Sequence, residues 1–314
     1  MTAPVETGGE RGEEPSAVAR NEALEGIDWP LVGFFALAFA IAWGTLGILA
    51  VIAEQSGVES AIRLLEMGEV MQFEGADLVV PGWVVYLLTR LADFSFSIAG
   101  VVVVVLTAGR AGLRELFGRL VRFDFPRVWY LVALLPVGLF ALSALVFGLG
   151  TEGVFGSLDL SLAAIQAALF ALNGGLLVTL FLRGPMGEEL GLRGFALPRL
   201  QARMSAFRAS AIIGAFWASW HLPVLVGRGV VTMVVFLLVA FSLSFVFTWL
   251  FNGARGSLVP PLLFHAFQNS EELFETVFPA LVGTEWELVS TLSLLVFGLA
   301  VGVHLWRTGR RAAS

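Results

Sequence analysis

Apolar runs of about the length of a bilayer recur along this 314-residue sequence, and nothing constrains its fold more. A spanning helix needs about 20 consecutive, mostly apolar residues. Eight segments approach that length: roughly Leu31 to Ala53, Trp83 to Ala108, Val128 to Leu149, Leu162 to Leu182, Ala209 to Val226, Val230 to Phe251, Ser257 to Phe274 and Leu288 to Trp306. Lipid offers backbone groups no water, so spanning segments are helices or closed barrels, and continuous apolar runs of this length fit helices. The expected fold is all-α, a polytopic membrane protein of about eight transmembrane helices. Charged residues are 14% of the chain, against about 25% in soluble domains.

Charge orders the rest. Residues 1–28 carry seven acids and two Arg among scattered Gly and Pro, the composition of a disordered tail rather than of a basic, cleavable signal peptide. Residues 29–307 form the expected membrane domain, and residues 308–314 a short C-terminal tail. Arg110, Arg114, Arg119, Arg122 and Arg127 crowd the second connection, and Arg183, Arg193, Arg199, Arg203 and Arg208 the fourth. The first, third, fifth and seventh connections hold only Arg63 and Arg228. The positive-inside rule then puts both termini in the cytoplasm of a multi-pass protein of the cell membrane, a parity that eight spans satisfy. Leu113, Leu116, Phe117 and Leu120 lie at helical spacing between arginines, the pattern of a short interfacial helix.

Several chemistries fall away. Without cysteine there are no thiol nucleophiles, thiolate ligands, disulfides or iron–sulfur clusters. GxGxxG and GxxxxGK[ST] are missing, and no basic surface interleaved with aromatics suggests nucleic acid. Of five Asp only Asp93 lies in a span, so a paired-aspartate membrane protease has no second acid. HExxH and GxSxG are absent as well.

Ionisable groups at membrane depth are costly and by default functional candidates. His304, beside Trp306 and Arg307, fits an interfacial anchor, and Arg90 with Asp93 fits an i, i+3 ion pair. His221 follows Trp217 by one helical turn in "FWASWHLP", where Pro223 bends or ends the helix. In "GSLVPPLLFHAFQN", Ser257 is a plausible N-cap and His265 and Asn269 share a helix face at i, i+4. A lone His–Asn pair could be a simple helix–helix hydrogen bond.

The remaining motif is "GEELGLRGF". Glu189 and Arg193 stand at i, i+4 in the favoured orientation for a helical ion pair. Glu188 points about 100° away from its neighbour on a helix, so the two acids cannot share one role. Partial desolvation of Glu188 would suit it to act as a general base on water.

At these residues the chain resembles the CAAX protease and bacteriocin-processing family of intramembrane proteases. The family pattern of EExxxR, FxxxH and HxxxN on separate membrane helices is matched by Glu188-Glu189-…-Arg193, Trp217-…-His221 and His265-…-Asn269. Trp217 stands where the family usually has Phe. The resemblance implies a helical fold around a cytoplasm-facing polar cavity, in which a membrane-embedded or lipid-associated peptide or protein is cut. It implies that Glu188 activates water with help from His221, that His265 and Asn269 hold the oxyanion, and that Glu189 and Arg193 brace the site. Members are often described as metalloproteases, and His221 and His265 with a carboxylate could make a catalytic zinc set. Without a preorganised HExxH pair, and with Asn an unlikely ligand, no cofactor is favoured. A proton-coupled transporter using the same acids and histidines, or a non-catalytic bacteriocin self-immunity protein, are the alternative readings.

Overall fold

The computed structural model describes residues 26, 28–150, 176–270 and 285–311. Every regular element among them is helical. The acidic tail, apart from residues 26 and 28, lies outside the described residues, as do most of the fourth expected span and the end of the seventh.

Helix α1 (Trp29–Gln55) starts where Asp28 accepts the Leu31 N–H at 3.1 Å, with Pro30 in the first turn. Next comes α2 (Ala61–Val70), a short helix capped by Ser60 that the apolar pattern did not show. It joins α1 and α3 (Gly82–Asp93) around a small core of Leu49, Ile52, Ala53, Leu64 and Val85. The expected span from Trp83 to Ala108 is two helices, because the chain leaves helical geometry at Phe94 (φ −89°, ψ 7°) before α4 (Ser95–Gly118). Within α4 the path breaks again at Gly109 (φ 56°, ψ −147°), a conformation that only glycine reaches without strain. The expected amphipathic stretch lies beyond that break, with Leu116 buried and Phe117 exposed.

Third in the apolar series, the run from Val128 is also interrupted, as α5 (Val128–Ala133) and α6 (Leu135–Gly150). After α7 (Leu176–Leu182), the acidic motif begins on α8 (Gly184–Glu189), with Pro185 in its first turn. The chain then widens into a π-helical segment, Leu190–Ala196, before α9 (Leu197–Gln201). Helix α10 (Ala206–Trp220) is capped by Ser205 and stops at His221, as Pro223 suggests; α11 (Leu222–Leu225) follows. The last elements are α12 (Val230–Gly253), α13 (Val259–Gln268) and α14 (Trp286–Arg311). Leu258 rather than Ser257 is the formal N-cap of α13, yet the Ser257 hydroxyl accepts the Val259 N–H at 3.1 Å and does the capping work. Helix α14 continues four residues past Arg307.

Among the described residues four helices are long and apolar enough to cross a membrane: Trp29–Gln55, Ser95–Val121, Val230–Gly253 and Trp286–Gly309. Leu106 and Val231, each 78% exposed, are among many large apolar side chains that face outward, as lipid contact requires. This is an all-helical, polytopic membrane protein. Its interior is built from α10, α12 and α14 packed side by side, and from α4 packed on both α1 and the π segment. That second packing positions the acidic motif. A Cβ on Gly187 would strike the Asp93 carbonyl and one on Gly191 would strike the Phe96 carbonyl, so the acid-bearing helix meets the α3–α4 junction backbone to backbone.

Candidate active site

Consecutive residues on a helix diverge by about 100°, and the two acids accordingly have separate surroundings. Glu189 has no solvent exposure. Its Oε1 accepts from Arg193 Nη1 at 2.9 Å and from His265 Nδ1 at 2.9 Å. Arg193, equally buried, lies over the Phe247 ring at 4.3 Å and the Trp217 ring at 5.1 Å, and its Nη2 reaches the Ser244 hydroxyl at 3.5 Å. The expected Glu189–Arg193 pair is present, and Glu189 has a second duty that the sequence did not reveal. A carboxylate only accepts, so His265 Nδ1 carries the proton, and its Nε2 is left for other work.

Glu188 is 5% exposed. The Trp217 indole N–H donates to its Oε2. Its Oε1 faces the bare Cα of Gly184, where a Cβ would stand 2.6 Å from that oxygen and 3.6 Å from His265 Nε2. One carboxylate oxygen and one imidazole nitrogen therefore converge on the space a side chain at 184 would fill. Trp217 also organises His221: its carbonyl lies 2.8 Å from His221 Nδ1, which must be the donor there, and Nε2 again remains available. Both histidine rings contact the Trp217 ring edge-on, at 5.8 Å each.

Glu188, Gly184, His221 and Asn269 line one cavity of about 880 Å³, whose apolar wall includes Leu46, Val231 and Phe236. Asn269 caps the end of α13, with its own N–H bonded to the His265 carbonyl at 3.0 Å, and is exposed to that space. The other polar groups weighed from the sequence stand apart from this convergence. Arg90 and Asp93 make their ion pair at 3.0 Å, with Asp93 on a further part of the cavity wall, and His304 sits on the outer surface against Trp249. Sequence reasoning missed Gly184 and the Trp217 N–H. The "RGPMGEE" spacing, with glycine one turn before Glu188, was the available signal for the first.

Among the described residues no three His, Asp or Glu side chains converge closely enough to hold an ion. Both histidines donate Nδ1, to Glu189 and to the Trp217 carbonyl, and keep Nε2 free, an arrangement that metal-binding histidines share.

Fold and site together define a class: a polytopic helical membrane protein with a buried glutamate, an oriented imidazole and an amide around one cavity, and a second oriented imidazole beside the glutamate. The comparisons with known proteins give that class a family likeness. Residues 169–270 match the family model described as type II CAAX prenyl endopeptidase Rce1-like. That stretch holds every residue from Glu188 to Asn269 named above. A curated relative, CAAX prenyl protease 2 of Methanococcus maripaludis, is 32% identical over 92 residues, which cover 26% of this chain and 34% of the relative. The match thus spans about a third of that relative's length. Both findings bear out the likeness to CAAX proteases carried by the three motifs.

Proposed function

We propose that this protein is an intramembrane endopeptidase that hydrolyses a peptide bond of a membrane-associated substrate with water activated by Glu188. The convergence of Glu188 Oε1 and His265 Nε2 over Gly184 carries this reading. Glu188 Oε1 takes a proton from water, and the hydroxide attacks the scissile carbonyl. His221 Nε2 accepts the water's second hydrogen and aligns it for attack. The carbonyl becomes a tetrahedral oxyanion, held by the Asn269 amide and by His265. With Nδ1 donating to Glu189, His265 can donate from Nε2 only as the imidazolium, and the Glu189 carboxylate supplies the compensating charge. Each such donor lowers the barrier by about 3 kcal/mol. Glu188 then returns its proton to the departing nitrogen as the C–N bond breaks.

The relative's name speaks of prenyl substrates, and the apolar wall of the cavity suits a lipid-modified peptide. The arginine distribution supports eight spans in the cell membrane, both termini in the cytoplasm and the cavity open on that side. No metal step is included, since among the described residues no three carboxylate or imidazole side chains converge on one point. The test is the purified protein in liposomes, given a quenched peptide whose S-farnesyl cysteine is followed by three residues and a free C-terminus, the CaaX arrangement. Hydrolysis that survives exhaustive chelation and disappears in Glu188→Gln is expected. Stoichiometric zinc, with activity lost on its removal and restored by its return, would overturn the metal-free mechanism.

A further inference from the structure

Two of the long apolar helices finish at one turn. The spans Ser95–Val121 and Val230–Gly253 end there, and α13, which carries His265, starts from it. The turn, from Arg255 to Leu258, has two residues in the left-handed region, Arg255 (φ 54°) and Gly256 (φ 79°). Glycine reaches that conformation freely, whereas for an arginine it is uncommon. The arginine stands where its side chain is used.

Three guanidinium groups close on this turn. Arg119 Nη1 donates to the Gly256 carbonyl at 3.4 Å, and Arg122 Nη1 to the Arg255 carbonyl at 3.0 Å. Arg255 Nη1 donates in the other direction, to the Asp124 carbonyl at 3.0 Å. A Cβ on Gly256 would stand 3.0 Å from Arg119 Nη1 and 3.3 Å from Arg122 Nη1, so two of the cations flank a single point. The Ser257 hydroxyl donates to the Arg122 carbonyl at 2.7 Å, and the Leu258 N–H to the Arg119 carbonyl at 2.9 Å.

The charge gathered here is not balanced from within. Glu115 pairs with Arg119 at 2.7 Å, and among the described residues neither Arg122 nor Arg255 makes an ion pair. Residues 110–127 hold five Arg against two acids, Glu115 and Asp124. A guanidinium has five N–H donors, and Arg122 and Arg255 each spend one nitrogen on a carbonyl. Val121, Phe123 and Val128 beside them are exposed apolar side chains. Cations at the ends of two spans, among exposed apolar groups, lie at the level of lipid headgroups. Arginine takes a phosphate through two parallel hydrogen bonds, and basic clusters next to spans attract anionic lipid.

We propose that Arg119, Arg122 and Arg255 form a binding site for the phosphate of an anionic phospholipid, which anchors the start of α13. The site stands apart from the catalytic cavity and does not depend on the endopeptidase reading. A zwitterionic headgroup brings its own cation and gains less from the same arginines.

The purified full-length protein in neutral detergent is titrated with phosphatidylglycerol and with phosphatidylcholine, and bound lipid is counted by native mass spectrometry. Phosphatidylglycerol should bind about tenfold or more tighter, the strength of one charge-assisted hydrogen bond. Arg122→Gln with Arg255→Gln should erase the preference by weakening phosphatidylglycerol alone. Arg255→Gln by itself, which leaves Arg119 and Arg122 in place, should erase part of it, and lysine at both positions should keep part. Arg110→Gln with Arg114→Gln, outside the turn, should leave it intact. Hydrogen exchange at α13 amides should be slower in phosphatidylglycerol nanodiscs than in phosphatidylcholine ones, and the Arg122, Arg255 double variant should lose that difference. Equal affinity for the two lipids overturns the site. So does an equal loss in the Arg110, Arg114 double variant, which would make the attraction diffuse. Displacement of the lipid by millimolar inorganic phosphate overturns the choice of a lipid as ligand. Exchange at α13 that is the same in both nanodiscs overturns the anchoring role.

Discussion

The Trp217 indole donates to Oε2 of Glu188, so the carboxylate presents its other oxygen to the cavity. The same residue fixes His221 through its carbonyl. Phenylalanine at 217 would keep that carbonyl and the ring packing on Phe247, and would lose only the donor to Glu188. A hydrogen bond to a charged group contributes about 1.5–3 kcal/mol. Trp217→Phe should therefore lower kcat by roughly tenfold or more with KM nearly unchanged, because the base is mispositioned and the substrate is not. Steady-state kinetics on protein of unaltered Tm decide it. A rise in KM at constant kcat would move Trp217 from the chemistry to binding.

The two acids should fail in different ways. Glu188→Gln should abolish turnover and leave folding and insertion intact. Glu189→Gln leaves the fully buried Arg193 without its counter-charge, which typically costs about 3–5 kcal/mol, and removes the carboxylate that accepts from His265 Nδ1. Its first symptom should be a lowered Tm. A stable, inactive Glu189→Gln beside an active Glu188→Gln would reverse the assignment.

Gly184→Ala tests the convergence directly. The added methyl would stand 2.6 Å from Glu188 Oε1 and 3.6 Å from His265 Nε2, in the space assigned to the attacking water. The three nearest atoms it would meet all belong to Glu188 and His265, so activity should fall sharply while thermal stability changes little. Normal turnover in a folded Gly184→Ala would place the reacting water elsewhere.

Topology is checked by reporter fusions. A fusion after Gly253 should report the cytoplasm, and one near Gly283 the exterior. The opposite pattern would overturn both the orientation and the cytoplasmic opening of the cavity.

Apolar run length is a property of contiguous residues, which is why α1, α12 and α14 were legible to within a few positions. The break at Phe94 was not, because "RLADFSFS" contains neither Pro nor Gly. That kink lies where the backbone passes so close to Gly187 that a Cβ there would strike the Asp93 carbonyl, a closeness between residues 94 positions apart. Helix α2 was missed because its mixed sequence belongs to a small side core that only α1 and α3 complete. The Glu189–Arg193 pair could be read from spacing, since it lies within a single stretch of helix. The bonds from Glu189 to His265 and from Trp217 to Glu188 join separate helices, across 76 and 29 residues, and local patterns carry no trace of such closures.

The backbone contacts at Gly187 and Gly191 also bear on how a peptide enters. Packed interiors shift between discrete arrangements rather than deforming smoothly, and here no layer of side chains lets the acid-bearing helix slide past the α3–α4 junction. Glu188 therefore sits on the stationary jaw of the cavity. The opposing jaw carries His221, Val224 and Val231, and its two halves are joined through Gly227 (φ 91°) and Gly229 (φ 89°). Left-handed glycines at the ends of elements can absorb large dihedral changes. Because Trp217 ties His221 to the same glutamate, movement at these glycines would shift the Val231 wall and leave the spacing of Glu188 and His221 unchanged.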